Sequence, residues 1–455
     1  MQKARITFPR LALLKPALAG LVLSVGMSSA AIPAEGHDGK RLLDPPRDQS
    51  RGAAGKRSQA NASAPQVGRY TADSLTLILY RFAFLDSMPI GLDSINKENE
   101  TIIRRYSEWS GGRFKFIPKI HPKVFQLKMK LDAYRNNWYA WLDEVKAAIR
   151  ATGVDPDNPP KNTTIAYYSK EFGYNSSGGS FSMNLHTYEA WAIMHELGHT
   201  LGLLHACGLE AGARVIGLSE DTSEFLDYGN PYDNMGMGYE ADYNVVYKDF
   251  FGWISPEERW HITYPGTYRV YAQDLPERHG TIALTLPSGN GKYTYWLEYR
   301  DDIGYAEKKG TVLFNIVGYL TGGVRHDNRY WDTIPLFLDM TPNSGGFRNT
   351  DWWDEDFTDG GLAPGKSFTD PWGGFKVTTL RIGGLPHSKY SWAEVKVESV
   401  SGRGIGARGP IGIVPTGPRF NVLGQHREAK PHTPAPVLGI NPEGKPRLID
   451  PGAGR

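Results

Sequence analysis

Residues 187–205 read T-Y-E-A-W-A-I-M-H-E-L-G-H-T-L-G-L-L-H, and this stretch predicts a helix that carries a metal site. His195 and His199 are four residues apart, so on a helix their imidazoles project from one face at a separation that a single zinc ion can bridge. Gly202 follows three residues later, where the helix must end and glycine permits a positive φ at low cost. The turn is then expected to return His205 toward the ion.

The same residues predict a catalytic rather than a structural metal. Three neutral imidazoles, from His195, His199 and His205, leave a fourth position of one Zn²⁺ open for water. Glu196 lies beside the ion rather than on it, where its carboxylate can act as general base toward a zinc-activated water. The alternative interpretation is a buried amphipathic helix whose histidines are hydrogen-bonded to their neighbours.

Composition excludes several classes of protein. The chain has 455 residues, 40% hydrophobic and 22% charged, which is typical of a soluble globular protein with two or three domains. The net charge is only +2, so there is no electrostatic argument for nucleic-acid binding. No Walker loop or dinucleotide-binding glycine pattern supports a nucleotide cofactor. Cys207 is the single cysteine; it cannot form an intramolecular disulfide and is expected to be a small buried thiol.

The N-terminal region predicts export. Basic residues precede an apolar run over residues 17–27, and small residues follow, so residues 1–31 are interpreted as a signal peptide. The run is short for a bilayer span, and we expect no stable membrane span once the signal is removed. Residues 32–69 predict a disordered leader or pro-segment. The protein is therefore expected to be secreted or periplasmic.

Residues 70–260 predict a catalytic domain in which strands and helices alternate. The expected elements are strands at 75–83, 113–117 and 162–169 and helices at 94–110 and 131–152. This order favours an α/β (α+β) domain with a mixed, mostly parallel twisted sheet. Residues 176–185, rich in Gly and Ser, form either the exposed edge of that sheet, where an extended substrate adds as a strand, or an ordinary surface loop.

The rest of the chain has a different character. Short β-rich runs separated by turn signals predict a β-sandwich accessory domain over residues 261–400. Residues 401–455, rich in Pro, Gly and Arg, predict a disordered tail. The acidic loop at 351–359 carries Trp352 and Trp353. It lacks EF-hand spacing, so a solvated loop is favoured and calcium is the alternative.

The motif in residues 195–205 resembles the long zinc-binding signature of the metzincin metalloproteases. It matches at all five defining positions, which are His195, Glu196, His199, Gly202 and His205. Further on, residues 224–239 read E-F-L-D-Y-G-N-P-Y-D-N-M-G-M-G-Y, and the D-N-M-G piece is similar to the methionine turn of gametolysin-like members. This resemblance implies that Met235 packs beneath the zinc. Met237 followed by Tyr239 resembles the M-x-Y form of other metzincins, and there Tyr239 would be an oxyanion donor.

The resemblance implies an exported zinc-dependent endopeptidase that hydrolyses peptide bonds in a protein or peptide substrate, including glycoprotein or cell-wall protein. The alternative is a non-catalytic surface, matrix or glycan-binding protein with a vestigial zinc site. Nothing in the sequence predicts an oligomeric state.

Overall fold

The structure is a computed structural model that describes residues 73–135, 137–169, 182–185, 188–218, 222–238, 241–301, 310–319, 335–345, 348–349, 353–400, 405, 437–440 and 446–449. The predicted signal peptide and leader, Tyr239, Asp351 and Trp352 lie outside these residues. Within the described ranges, every helix is too short or too polar to span a lipid bilayer. The fold is mixed α/β, with several sheets and few helices.

The first sheet is parallel at all three strand pairs and has the order β2-β1-β3-β4. Its strands are β1 (Ser74–Ala83), β2 (Lys115–Gln126), β3 (Thr163–Ser169) and β4 (Ser182–Leu185). Every residue of β3 is buried, as expected for a central parallel strand covered on both faces. The predicted strands are confirmed, although β2 continues nine residues beyond its expected end at Ile117. The β4 strand occupies the predicted edge position.

The helices cover both faces of this sheet. They are α1 (Leu92–Ser110), α2 (Leu131–Arg135), α3 (Trp138–Arg150), α4 (Ala190–Thr200) and α5 (Val245–Phe250). Residues Leu75, Leu77 and Leu79 of β1 share a core with α1 and α4. The opposite face of β1 packs against Trp141 of α3. This alternation along the strand places the motif helix on one side of the sheet.

The prediction of one continuous helix over residues 131–152 is wrong, because the segment forms α2 and α3. Asn137 caps the second helix, and its Oδ1 accepts a hydrogen bond from the Ala140 amide at 3.2 Å. An asparagine side chain that satisfies a free amide in this way favours a new helix start over a continuous helix. By contrast, α1 ends as predicted, at Gly111 with φ of +61°.

A seven-stranded sheet follows, with the order β6-β5-β12-β11-β10-β9-β7. Its strands are β5 (Cys207–Glu210), β6 (Glu224–Leu226), β7 (Arg259–His261), β9 (Ala283–Pro287), β10 (Thr294–Tyr299), β11 (Val312–Val317) and β12 (Leu336–Leu338). The sheet contains strands from both predicted domains, the catalytic domain expected to end at residue 260 and the accessory domain expected to begin at residue 261. Because β5 begins two residues after His205, the metal motif leads directly into this sheet.

A four-stranded sheet packs against the seven-stranded one. Its strands are β8 (Gly266–Tyr271), β15 (Ser367–Thr369), β16 (Phe375–Gly383) and β17 (Trp392–Ser399). One hydrophobic core takes Tyr295 and Phe314 from the larger sheet and Val377 and Val395 from the smaller, which is the arrangement expected of a β-sandwich. Two short two-stranded pairs complete the described strands.

These pairs are β13 (Arg348–Asn349) with β14 (Trp353–Asp354) and β18 (Val437–Ile440) with β19 (Pro446–Ile449). The second pair lies in the segment expected to be disordered. Its strands carry aliphatic side chains at Val437, Leu438, Leu448 and Ile449, which suit a β-ladder. The remainder of that segment lies outside the described residues, apart from Ile405, which is buried against the sandwich core.

A buried ion pair joins the sandwich to the segment that precedes it. Arg300 Nη2 lies 3.1 Å from Glu298 Oε1, and both side chains are 1% exposed. Glu298 Oε2 accepts from the Val245 amide at the start of α5 at 3.1 Å. Arg300 Nη1 donates to the carbonyls of Tyr232 and Asp242. The pair therefore links β10 to both ends of residues 232–245.

Replacing Arg300 by alanine should lower the free energy of unfolding by about 3–5 kcal/mol, because it leaves the buried Glu298 carboxylate without its cation. Chemical denaturation measures the change. The matched control is Arg104→Ala: Arg104 pairs with Glu108 at 3.0 Å, but its side chain is 54% exposed, so the expected loss is below about 1 kcal/mol. Equal losses in the two variants would contradict this interpretation.

Candidate metal centre

The α4 helix positions two histidines through the hydrophobic core. Met194 and Leu197, which flank His195, are buried in the same core as Leu75 of the parallel sheet. The helix cannot rotate without exposing these side chains. His195 and His199 therefore project from a fixed face, and their ring centroids lie 4.8 Å apart. This is the two-ligand arrangement predicted from the spacing.

The helix ends where the sequence predicts. Gly202 has φ of +101°, and its amide donates to the His199 carbonyl at 3.0 Å. The amide of Leu203 donates to the Gly198 carbonyl at 2.9 Å. This pair of bonds around a left-handed glycine is a Schellman motif, which turns the chain sharply at a helix end.

The turn brings the third histidine to the other two. The His205 ring centroid lies 5.5 Å from that of His195 and 4.9 Å from that of His199. One ligand atom from each ring can be chosen so that all lie within 4.8 Å of one another. Across the described ranges, this is the only group of three or more His, Cys, Asp or Glu side chains close enough to hold a metal ion.

Each imidazole of the triad is oriented by a bond at its Nδ1 atom. The three bonds run from His195 to the Asn234 carbonyl at 2.8 Å, from His199 to the Leu203 carbonyl at 3.0 Å and from His205 to Asp227 Oδ1 at 2.8 Å. Because carbonyl and carboxylate oxygens accept, each Nδ1 donates its proton, and in a neutral imidazole this leaves the lone pair on Nε2. Three neutral Nε2 donors with oxygen partners behind them suit Zn²⁺.

Glu196 occupies the position between the two helical ligands. It is completely buried, and it directly follows His195 on the helix. Its backbone carbonyl accepts from the Thr200 hydroxyl at 3.1 Å, which adds a bond within the last turn of α4. The general-base role of its carboxylate stays a prediction.

Met235 packs directly against α4, the helix that carries His195 and His199. A Cβ atom at Gly198 would collide with Met235 Sδ and would lie 3.2 Å from the Tyr243 hydroxyl. Met237 is buried in a different place, against Tyr228. Met235 thus contacts α4, and the helix carries a glycine where the thioether lies.

The turn that contains Met235 is shaped by a buried carboxylate. Asp233 Oδ1 accepts from the Met235 amide at 2.7 Å, and Oδ2 accepts from the Asn244 amide at 2.6 Å. Burial raises the pKa of Asp233 to about 7. These bonds fix the backbone on either side of Asn234, whose carbonyl orients His195.

Sequence reasoning did not find the oxygen partners of the triad. The general rule that metal-binding histidines have such partners favours a nearby acid, but Asp227 is separated from His205 by a long connection. Only the pairing of β5 with β6 brings the two together, because Gly208 lies opposite Leu226 in that ladder. The carbonyl partners Asn234 and Leu203 have no side-chain signature at all.

Cys207 and the acidic loop at 351–359 were the other two candidate sites. Cys207 is 2% exposed, and burial raises the pKa of its thiol well above the usual range, as suits the small buried thiol that was expected. In the described part of the acidic loop, Asp356 accepts from the Asn343 amide at 2.7 Å and the Ser344 hydroxyl at 2.6 Å. Its carboxylate is thus engaged by protein donors.

Searches of protein-family models and of curated proteins find no match to this chain.

Replacing Asp227 by alanine removes the acceptor of the His205 Nδ1 proton, and we expect the affinity for Zn²⁺ to fall about 10- to 100-fold. Competition with a chromophoric chelator measures the affinity. Asp227→Asn keeps an oxygen acceptor without the charge and should lose less. Asp157→Ala is the control, because Asp157 pairs with Lys146 and Arg150 on α3. Unchanged affinity in Asp227→Ala would argue against its role.

Proposed function

We propose that this protein is an exported zinc-dependent endopeptidase. The observation that carries the proposal is the convergence of His195, His199 and His205, each with its Nδ1 proton donated to an oxygen. A structural zinc site is closed by four protein ligands, whereas three leave room for a reacting molecule. The buried carboxylate of Glu196 on the same helix adds the acid–base group that hydrolysis needs.

The roles of the chain's own residues follow from this arrangement. When bound, Zn²⁺ supplies Lewis-acid chemistry, which polarises a carbonyl and lowers the pKa of water toward neutral pH. His195, His199 and His205 would hold the ion. Glu196 takes the proton of the attacking water and delivers it to the departing amine. The Nδ1 contacts keep the imidazoles in the tautomer that leaves Nε2 available.

We further propose that the chain is a metzincin of gametolysin-like type. Three features support this: the five-position motif, the Schellman turn at Gly202, and the contact of Met235 with Gly198. The mixed α/β architecture, with a parallel sheet beside the motif helix, is compatible with it. Met235 is then the methionine of the turn, since Met237 packs elsewhere.

A protein or peptide is the proposed substrate, including glycoprotein or cell-wall protein. The β4 strand is at the edge of the parallel sheet, and an extended peptide can pair with such an edge through its backbone. Backbone pairing places a peptide bond near the site without requiring a particular side chain. Export to the periplasm or the medium, inferred from residues 1–31, would give the enzyme access to such substrates.

Replacing Glu196 by glutamine keeps the size and packing of the side chain but removes its basicity. We expect peptidase turnover to fall about 10²- to 10⁴-fold, while one zinc ion per chain is retained. Cleavage of a denatured protein, monitored with and without chelator, measures turnover, and elemental analysis measures zinc.

The matched variant is His199→Ala, which should lose both zinc and turnover because only two imidazoles remain. A Glu196→Gln protein with wild-type turnover would remove Glu196 as the base. A wild-type protein that holds zinc but cleaves no peptide would overturn the endopeptidase assignment and leave the metal centre intact.

A second candidate function is surface, matrix or glycan binding with a vestigial metal site. It is favoured by exposed aromatic side chains after α5, namely Trp260, Tyr264 and Tyr390, which are 55%, 72% and 50% exposed. Aromatic faces of this kind can stack on sugars or on apolar protein surfaces. Binding to peptidoglycan that persists in the presence of chelator, together with no peptidase activity, would favour this function.

A further inference from the structure

Tyr228 has an unusual backbone conformation beside the metal centre. Its φ is +63°, in the left-handed region of backbone conformation that residues other than glycine seldom adopt. The side chain is 3% exposed, so the conformation is not a feature of a loose surface turn. Strained residues of this kind persist where the surrounding structure holds them, often at functional sites.

The strained backbone places the Tyr228 ring on the face of the third histidine. The ring centroids of Tyr228 and His205 are 3.7 Å apart, with an angle of 29° between the planes. The same ring is nearly parallel to that of His195, at 15°, but lies 5.9 Å away. Tyr228 is thus in stacking contact with one ligand of the triad and faces a second at a longer distance.

Two hydrogen-bonded segments hold this contact in place. Leu226 pairs with Gly208 across the β5–β6 ladder, and the Asn230 amide donates to the Ala206 carbonyl at 3.1 Å. Tyr228 lies between these two anchor points, just after the end of β6, and His205 lies just before the start of β5. The ladder therefore sets the separation of the two rings.

His205 depends on such a contact more than the other two ligands do. His195 and His199 are carried by a packed helix, whereas His205 lies in the connection between α4 and β5. Its bond to Asp227 holds Nδ1, and the Tyr228 ring packed on its face limits the remaining movement of the imidazole plane.

We propose that Tyr228 is a positioning residue for His205 and that its aromatic face favours the metal-loaded state. This inference rests on the proposed metal function. An imidazole that gives its lone pair to a divalent cation becomes more positive, and the face of an aromatic ring attracts positive charge. The stacked pair is therefore stabilised more with the ion bound than without it, and the strained backbone is what brings the ring there.

The test compares Tyr228→Phe with Tyr228→Leu in the full chain, using Zn²⁺ alone and a chelator competition. Both substitutions leave a Cβ atom in the left-handed backbone, but only phenylalanine keeps an aromatic face. We expect the phenylalanine variant to bind Zn²⁺ within about twofold of wild type and the leucine variant about five- to tenfold more weakly. Cobalt(II) in the same site should give an altered visible spectrum only in the leucine variant.

A second variant covers the case in which Tyr228→Leu does not fold. Tyr228→Asn lacks the ring, and asparagine tolerates the left-handed backbone, so it should show the same loss of affinity. Wild-type affinity in the leucine or asparagine variant, with zinc bound by the wild type, overturns this inference alone. An equal loss in the phenylalanine variant overturns the role of the ring face. A wild-type protein that binds no Zn²⁺ overturns the proposed function and this inference together.

Discussion

The geometry of a single helix limits how many ligands it can offer to one ion. Residues four apart share a face, so α4 can supply His195 and His199, but the next residue on that face would lie too far along the axis. The third imidazole must come from a segment outside the helix. The site therefore exists only if two separately packed segments, α4 in the core of the parallel sheet and β5 in the seven-stranded sheet, keep a constant relation to each other.

Directional contacts maintain that relation. The Ala206 amide, next to the third ligand, donates to the Met235 carbonyl at 2.9 Å. Asp233 holds the same turn from its other side, and Arg300 donates to the carbonyl of Tyr232 just before it. Apolar packing alone would allow small shifts between the two sheets, whereas buried hydrogen bonds are lost completely when the geometry changes. This difference explains why charged side chains are buried at the junction despite the cost of removing them from water.

Prediction from the sequence succeeded where a short segment decides the outcome. The apolar runs of β1 and β3, the end of α1 at Gly111 and the turn at Gly202 all follow from local periodicity or from a single residue type. It failed at Asn137, where capping competed with helix continuation, and it missed β5 and β6. These two strands are only four and three residues long, and such short runs acquire a β conformation from the ladder they join rather than from their own sequence.

The sequence by itself determined the residues of the candidate site: which imidazoles are available, which carboxylate lies between them and where the helix must end. These are consequences of covalent spacing on a regular helix. Only the tertiary structure decided which oxygens orient the imidazoles and that Tyr228 stacks on His205. Those contacts join residues that are distant along the chain, and they arise from strand pairing and turn conformation, which no local pattern specifies. The three histidines that could hold a metal ion were thus predictable from one short motif, whereas the contacts that orient them required the folded chain.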